Sequence, residues 1–426
     1  MRLYLTTLNP TDSVIDGFLP AAAALGWDVT ILTDQPEGYP GHEIIATDVR
    51  DPRALIDAIA AHHRPDVVFS NSDHLQAETA LAAEYFDLPH KDWRACATAK
   101  NKALMRRRLR LAAVEPVRSV RLPPGTAAMP EAVPYPVPYP VVVKPAMGVA
   151  SEDVVLAAGP AELAAAVCEI RKRRPDDVLV AEEYLEGPLH TLETLGDGRS
   201  TAVIGGFRTT LGPLPHFVEE RLDWHPVPPT DHRRHVSAAL AALGAGLGAC
   251  HTEYVITRDG PRIIEVNYRL IGDNCDFLLA DLVGVPLHEW VLRVHAGEPI
   301  PDPFPGVFPG VFPGVFPGVA EPYGPGRHSV DLHGAVVSVV ADRPGVITAA
   351  PPALAPSQAP PLPQDRSTPR NGVRLWHRPL RAVGDRIDPT NTNRDYLGLI
   401  RAIGPDRAGI DSAIDAFRAA HPWVIA

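Results

Sequence analysis

The chain reads as an α/β protein in several pieces: an N-terminal α/β domain on a parallel sheet over residues 1–95, two α+β halves over 96–185 and 186–303, and a small C-terminal α+β domain over 326–426. Three observations predict this organisation. Short apolar segments alternate with Ala-rich stretches of helical period at the start. Strand-like runs and a hairpin signal crowd the middle. After a Phe-Pro-Gly-Val repeat linker over 304–325, strand and helix signals resume.

In chain order, Arg2 to Leu8, Trp27 to Thr33 and Asp66 to Ser70 read as the strands of the first domain. Asn101 to Ala113 reads as a basic helix carrying Lys102, followed by a proline-rich connector ending at Pro140. Val141-Val142-Val143 has the β-branched composition of a buried strand, and it ends in Lys144, placed to reach a phosphate. Gly148 and Ser151 follow, offering backbone N–H groups and a hydroxyl to polyphosphate oxygens, because glycine permits close approach and unusual dihedrals. The Gly-Lys-Ser/Thr ending of a P-loop is absent. Val178 to Gly187 is an apolar strand running into Glu182, Glu183, Tyr184 and Leu185. An adenine needs that mixture: apolar and aromatic faces for the ring, a carboxylate or carbonyl for the amine, and a backbone N–H for a ring nitrogen.

His251 to Arg269 places three oxygen ligands and a guanidinium on two short strands joined by an Asp259-Gly260 turn signal. Strand alternation predicts Glu265, Asn267 and Arg269 on one face, with Ile264 and Val266 entering the core and Glu253 on the partner strand. Two carboxylates and an amide carbonyl suit magnesium, which prefers oxygen and leaves room for phosphate. A Glu-x-Asn on a solvated hairpin is common, so this hairpin gains its meaning from the lysines and the strand upstream. Gly205 to Arg221 mixes cations and acids with aromatic and proline residues, and Arg208, His216 and Arg221 are its candidate carboxylate binders, against the alternative of a solvated loop.

Beyond Gly297, four copies of Phe-Pro-Gly-Val from Phe304 to Val319 exclude a regular helix or a central strand and read as a linker or turn-rich excursion. Pro351 to Pro363 reads as an exposed loop. Strands around Ala335 to Val340 and Gly372 to Trp376, with a helix at Ile410 to Ala420, make the closing domain.

The order Lys102, Lys144 before a glycine loop, Glu182-Glu183-Tyr184-Leu185, Glu253 and Glu265-x-Asn267-x-Arg269 resembles the ATP-grasp superfamily of carboxylate–amine ligases. The resemblance runs from about Met1 to the C-terminus and is most specific between Lys144 and Arg269. Its closest look is to L-amino-acid ligases and related peptide-forming enzymes, through Asn101-Lys102, His251-Thr252-Glu253 and Glu265 to Arg269. It implies an ATP-grasp fold in which the two α+β halves clasp ATP. Lys102 and Lys144 would contact phosphates, and the loop around Gly148 and Ser151 would close over them. Glu182 would face the adenine amine, with the backbone of Glu183 to Leu185 completing the base pocket. Glu253, Glu265 and Asn267 would hold magnesium, with manganese as the alternative ion, and Arg269 would neutralise the acyl phosphate and its tetrahedral successor. On the substrate side, relatives with similar Phe-Val-Glu wording assign a substrate ammonium to the acid at Glu219, while His251 and Gly272 fall in family wording beside the acceptor site. Two departures stand out: Leu189 takes the place of a ribose-binding acid, and Tyr268 and Ile271 replace a proline and a glycine common in the family.

The reaction implied is ADP-forming ligation, in which a carboxylate attacks the γ-phosphate and an amine displaces phosphate from the resulting acyl phosphate. The alternatives are an ATP-grasp carboxylase using bicarbonate, although no Met-Lys-Met biotinyl signature is present, or a nucleotide-binding protein without turnover. The expected partners are a small carboxylate and an amine, with a homodimer as the assembly often found among relatives. At 426 residues, 45% hydrophobic and 21% charged, the composition is that of a soluble cytoplasmic enzyme, and a net charge of −11 argues against coating nucleic acid. Arg106-Arg107-Arg108 and Arg171 to Arg174 read as solvated helix faces. No apolar run reaches the ~18 residues of a membrane span. Met1 to Leu8 is too short for a signal-peptide core. Cys96, Cys168, Cys250 and Cys275 lack metal spacing and read as reduced core or near-core residues.

Overall fold

The computed structural model describes residues 1–126, 137–226, 228–301, 307–308, 332–354 and 372–426. Strands β1 (Arg2–Thr6), β2 (Asp28–Thr33), β3 (Glu43–Ala46) and β4 (Val67–Phe69) form a parallel sheet in the order β3-β2-β1-β4. Alternate side chains enter two cores: Leu3 and Leu5 meet α1 (Leu19–Ala24), while Tyr4 meets α2 (Pro52–Ala60) and α3 (Gln76–Tyr85). Both faces are therefore covered, as a parallel sheet requires. The three predicted strands are present, and β3 is an additional four-residue edge strand too short to leave a period in the sequence.

Two helices follow, α4 (Trp93–Lys100) and α5 (Lys102–Leu111). The Asn101 carboxamide oxygen accepts from the N–H groups of Ala103 and Leu104 at 3.1 and 3.2 Å, an N-cap that starts α5 at Lys102. Strands β5 (Ser119–Leu122), β6 (Val141–Pro145), β7 (Val155–Ala157) and β8 (Leu179–Glu183) make an antiparallel sheet in the order β5-β8-β6-β7, backed by α6 (Pro160–Arg173). Val141 and Val143 enter that core, so Val142 and Lys144 face the other way.

The third unit comprises β9 (Leu189–Asp197), β10 (Thr201–Leu211), β11 (Glu219–His225), α7 (Thr230–Leu243), β12 (Leu247–Thr257), β13 (Gly260–Asn267), α8 (Cys275–Val283) and α9 (Leu287–His295). A two-residue strand, β14 (Val307–Phe308), pairs with the start of β10. The C-terminal region adds β15 (His333–Val340), β16 (Gly345–Ala349), β17 (Arg374–Pro379), β18 (Arg386–Ile387), β19 (Tyr396–Gly404), α10 (Arg407–Ala420) and β20 (Val424–Ile425). One antiparallel sheet runs through both regions in the order β13-β12-β9-β10-β11-β15-β19-β17, because β11 pairs directly with β15. Helices α4, α5 and α7 cover one face at the β12–β13 end, and α8 and α9 cover the other face together with α1. The rest of the repeat, residues 127–136 of the connector and most of Pro351 to Pro363 lie outside the described residues.

Among the described residues, no helix is long and apolar enough to cross a membrane. Cys96, Cys250 and Cys275 are buried and free, but Cys168 is exposed on α6, because it falls on the solvent side of that helix beside the inward Val167. Burial pushes the Cys96 and Cys250 thiols up to about 12. A thiol reagent should therefore modify one site in the native protein, and Cys168→Ser should abolish that labelling. Intact-mass measurement showing two or more adducts before unfolding would contradict the burial of the other three.

Candidate functional site

The three sheets meet around a cleft of about 850 Å³. Its walls include the loops after β1 and β4, the end of β6, the segment after β8, the paired strands β12 and β13, and the loop before β19.

The N-cap at Asn101 buries Lys102 at the first turn of α5, where its ammonium donates to Glu265 Oε1 at 2.7 Å and to the Gly148 carbonyl at 2.9 Å. One turn later Arg106 is buried rather than solvated. Its guanidinium donates to both oxygens of Glu182, at 3.1 and 2.9 Å, and to Glu115 Oε1 at 2.7 Å. Glu115 Oε2 also accepts from the Ile263 N–H at 3.0 Å and meets His235 Nε2 at 2.9 Å. Lys144 approaches Glu182 from the cleft at 3.1 Å. Burial alone would push the Glu182 carboxyl up, but the charges of Arg106 and Lys144 outweigh it and hold the group at about 2. Glu182 thus lines the cleft with both oxygens already engaged, and its visible work is to position Lys144.

On the opposite wall, β12 and β13 pair in register from His251↔Asn267 to Glu253↔Glu265, and then a bulge shifts the pairing to Tyr254↔Ile263. Ile264 is the extra residue. Ile263 and Val266 consequently fill the core, while Ile264 lines the cleft beside Glu265 and Asn267, contrary to the uninterrupted alternation expected for it. Glu253, Glu265 and Asn267 come together as hard oxygen donors. Positive charge already sits against both acids: Lys102 on Glu265, and His251 Nε2 at 3.4 Å from Glu253 Oε1. That donor chemistry, and a site held ready for cationic neighbours, fit a magnesium ion. His251 Nδ1 lies 2.8 Å from Glu193 Oε1. Burial would lower the imidazole, but Glu193 and Glu253 outweigh it and raise it to about 10, so the ring is an imidazolium clamped between two carboxylates.

Arg269, Gly272 and Glu219 line the same cleft. Burial and the charge of Glu253 push the Glu219 carboxyl up to about 8. Among the described residues, no basic side chain forms an ion pair with it. Asp273 is also here, raised by burial. Asp73, in the loop after β4, is ion-paired with Lys100 and is held low against burial by the charges of Lys100 and Arg269.

Gly148, Ser151, Glu183, Tyr184 and Leu185 line the cleft as well. The unusual dihedrals of the loop fall at Ala150, Ser151 and Asp153, whose φ values are 56°, 54° and 58°, rather than at Gly148. Gly187 is required between β8 and β9, since a Cβ there would lie 2.0 Å from the Ile256 carbonyl oxygen. Arg208 is exposed on β10, and neither it nor His216 is in the cleft wall; Arg221 is taken up by Asp223 and Asp411.

Several residues in or behind the cleft wall were not singled out for the site in the sequence reading. Arg106, read there as solvated, had a signal, since it lies four residues after Lys102 and shares its helix face. The loops at Asn9 to Ser13 and Asn71 to His74 had another, because they follow the carboxyl ends of parallel strands, where α/β sheets bind ligands. Glu193 and the Asn393 to Tyr396 loop reach the site through long-range pairing and had none.

Residues 101–302 match the family model described as the carbamoyl-phosphate synthase L chain, ATP binding domain. The whole chain superposes on the L-amino acid ligase of Bacillus licheniformis with a TM-score of 0.73 at 17% identity, covering 100% of this chain and 98% of that one. It superposes on phosphoribosylglycinamide synthetase of Anaerococcus prevotii at 0.65 and 14% identity (100% and 99% covered), and on biotin carboxylase of Campylobacter jejuni at 0.65 and 14% (100% and 92% covered). The chain thus has an ATP-grasp fold, and its residues 101–302 are similar to that ATP-binding domain. In sequence it is similar to the uncharacterized protein y4rH of Sinorhizobium fredii, 35% identical over 216 residues. That match covers 48% of this chain and 44% of the relative, so the chain spans less than half the length of that curated protein.

Proposed function

We propose that the protein is an ADP-forming carboxylate–amine ligase that joins an amino acid, or an amino-acid-like acid, to an amine. The observation that carries this reading is the set of groups that share one cleft: the cations Lys144, Lys102 and Arg269, the oxygen donors Glu253, Glu265 and Asn267, and Glu219 without an ion-pair partner among the described residues. A nucleotide lies with its base against Tyr184 and Leu185 and its phosphates at the lysines. Glu253, Glu265 and Asn267 would hold magnesium, which when bound would supply charge neutralisation for phosphoryl transfer. The substrate carboxylate attacks the γ-phosphorus, forming an acyl phosphate and releasing ADP. The amine then adds to the acyl carbon, phosphate departs with the C–O electron pair, and the nitrogen loses a proton. Arg269 faces the developing charge, and Glu219 suits the ammonium of a substrate. The loop from Gly148 to Val154 keeps water from the acyl phosphate.

The likeness to an L-amino acid ligase supports the amide-forming reading, and the likeness to biotin carboxylase supplies the competing one. The test is ATP consumption with magnesium across paired amino acids and small carboxylic acids. ADP and phosphate released with an acid–amine pair, with a condensed product of matching mass, is the expected result. ADP release that requires bicarbonate would move the reading to a carboxylase, and AMP with pyrophosphate would overturn the acyl-phosphate route.

A further inference from the structure

The loop that covers the phosphate end and the segment that presents Glu219 are tied to the same third element, the turn between β18 and β19. The Asn393 N–H donates to the Ala150 carbonyl at 3.0 Å, and the Asn393 side-chain oxygen accepts from the Glu219 N–H at 3.0 Å. Its neighbours repeat the arrangement. Arg394 Nε is ion-paired with Glu152 Oε1, and Tyr396 Oη donates to the Glu219 carbonyl at 2.7 Å. One residue thus bridges the covering loop and the substrate segment, and the residues around it reinforce each side.

The turn itself is stiff. The Asp395 carboxylate accepts from the Thr390 N–H at 3.0 and 2.9 Å and from the Thr392 N–H at 3.2 Å, closing a capping box with Thr392. The covering loop has three non-glycine residues in the left-handed region, a conformation that its neighbours must hold in place. Glu152 shows how it would part from the turn: Oε2 is held at 2.6 Å by Arg174 of the loop's own half, and Oε1 by Arg394 from across the cleft. Opening breaks the second bond and keeps the first. The base of the loop adds one more link, since the Leu156 N–H donates to the Pro215 carbonyl at 3.1 Å, four residues before Glu219.

We propose that Asn393 and Arg394 are positioning residues that couple closure of the Gly148–Val154 loop to occupancy of the Glu219 site, so that phosphoryl transfer proceeds when the second substrate is in place. The proposal rests on the ligase reading above. Binding at Glu219 orders the Glu219 backbone, which fixes Asn393; the turn moves as one piece and holds the loop through Ala150 and Glu152. An unbound Glu219 site leaves the turn, and with it the loop, less restrained.

Two readouts separate this coupling from the ligase reading. Hydrogen exchange at residues 149–153 of the ligand-free protein needs no substrate. Arg394→Ala should speed it about two- to fivefold, the loss of one exposed ion pair, and Asn393→Ala should speed it as well. With the acid–amine pair found for the wild type, Asn393→Ala should raise the amine KM about tenfold or more by leaving the Glu219 N–H without its acceptor. It should also release ADP in excess of condensed product. Asn393→Asp keeps the accepting oxygen and should restore the ratio towards one ADP per product. The effects of Asn393→Ala and Arg394→Ala on that ratio should combine less than additively. Unchanged exchange in both single variants, or additive effects with no excess ADP, would overturn the coupling while leaving the ligase intact. A wild type that makes no amide would instead defeat the ligase reading, and the exchange experiment would still decide whether the turn holds the loop.

Discussion

Arg106→Met should lower the free energy of unfolding by about 3–5 kcal/mol, the loss expected when one member of a buried ion cluster is removed and its partners stay charged in a dry site. The side chains of Arg106, Glu115 and Glu182 are 2%, 1% and 4% exposed, so water cannot replace the guanidinium. Denaturant titration should show a lower midpoint with an unchanged slope. A loss below about 1 kcal/mol would mean that Glu115 and Glu182 find other partners, in conflict with the geometry. The pH dependence has a definite sign. The folded Glu182 carboxyl is depressed from an ordinary 4.5 to about 2, so its contribution is fully present above 4.5 and is lost as pH falls towards 2. In Arg106→Met the acid limb of the stability profile should therefore move to higher pH.

Glu265→Gln should reduce turnover at least about a hundredfold while leaving the fold intact, because an amide keeps the shape and removes the charge that faces both Lys102 and the cleft. Glu265 lines the cleft, and the buried ammonium of its partner Lys102 keeps the Gly148 carbonyl and gains the Gln amide oxygen as acceptors, so the stability loss is smaller than that for Arg106. ADP formation and the thermal midpoint, measured on the same preparation, separate the two effects. Near-normal turnover in this variant would remove Glu265 from the proposed metal set, and an equal fall in midpoint and rate would make it a structural residue.

Legibility followed range. Three of the four strands of the first sheet, the basic helix at Lys102 and the hairpin from His251 to Asn267 were readable because each is encoded within about one to two dozen residues: a period or a turn. The grouping of Lys102, Lys144, Glu253, Glu265 and Asn267 in one cleft was expected from the order of motifs. The Ile264 bulge was not, since a strand's alternation carries no sign of where one extra residue is inserted. Arg106 was misread as solvated because three adjacent arginines look alike in sequence, whereas one of them points at two acids 9 and 76 positions away. Cys168 and Val167 make the same point in reverse: one step along a helix separates solvent from core. The turn at Asn393 joins Ala150 and Glu219 across hundreds of positions, and no local pattern encodes that.

The unbroken sheet has a further consequence for how the chain can be divided. Its eight-strand layer carries the β12–β13 hairpin at one end and the C-terminal strands at the other, with β11 hydrogen-bonded on both sides. Cutting the chain ahead of β15 would turn β11 from an interior strand into a bare edge, with the polar backbone groups of Arg221 to Asp223 open to any other strand. Sequence boundaries invite the removal of the last hundred residues as a separable module. The hydrogen bonding makes them the lateral seal of the sheet that walls the cleft, and a shortened chain would seek that seal in a neighbouring molecule.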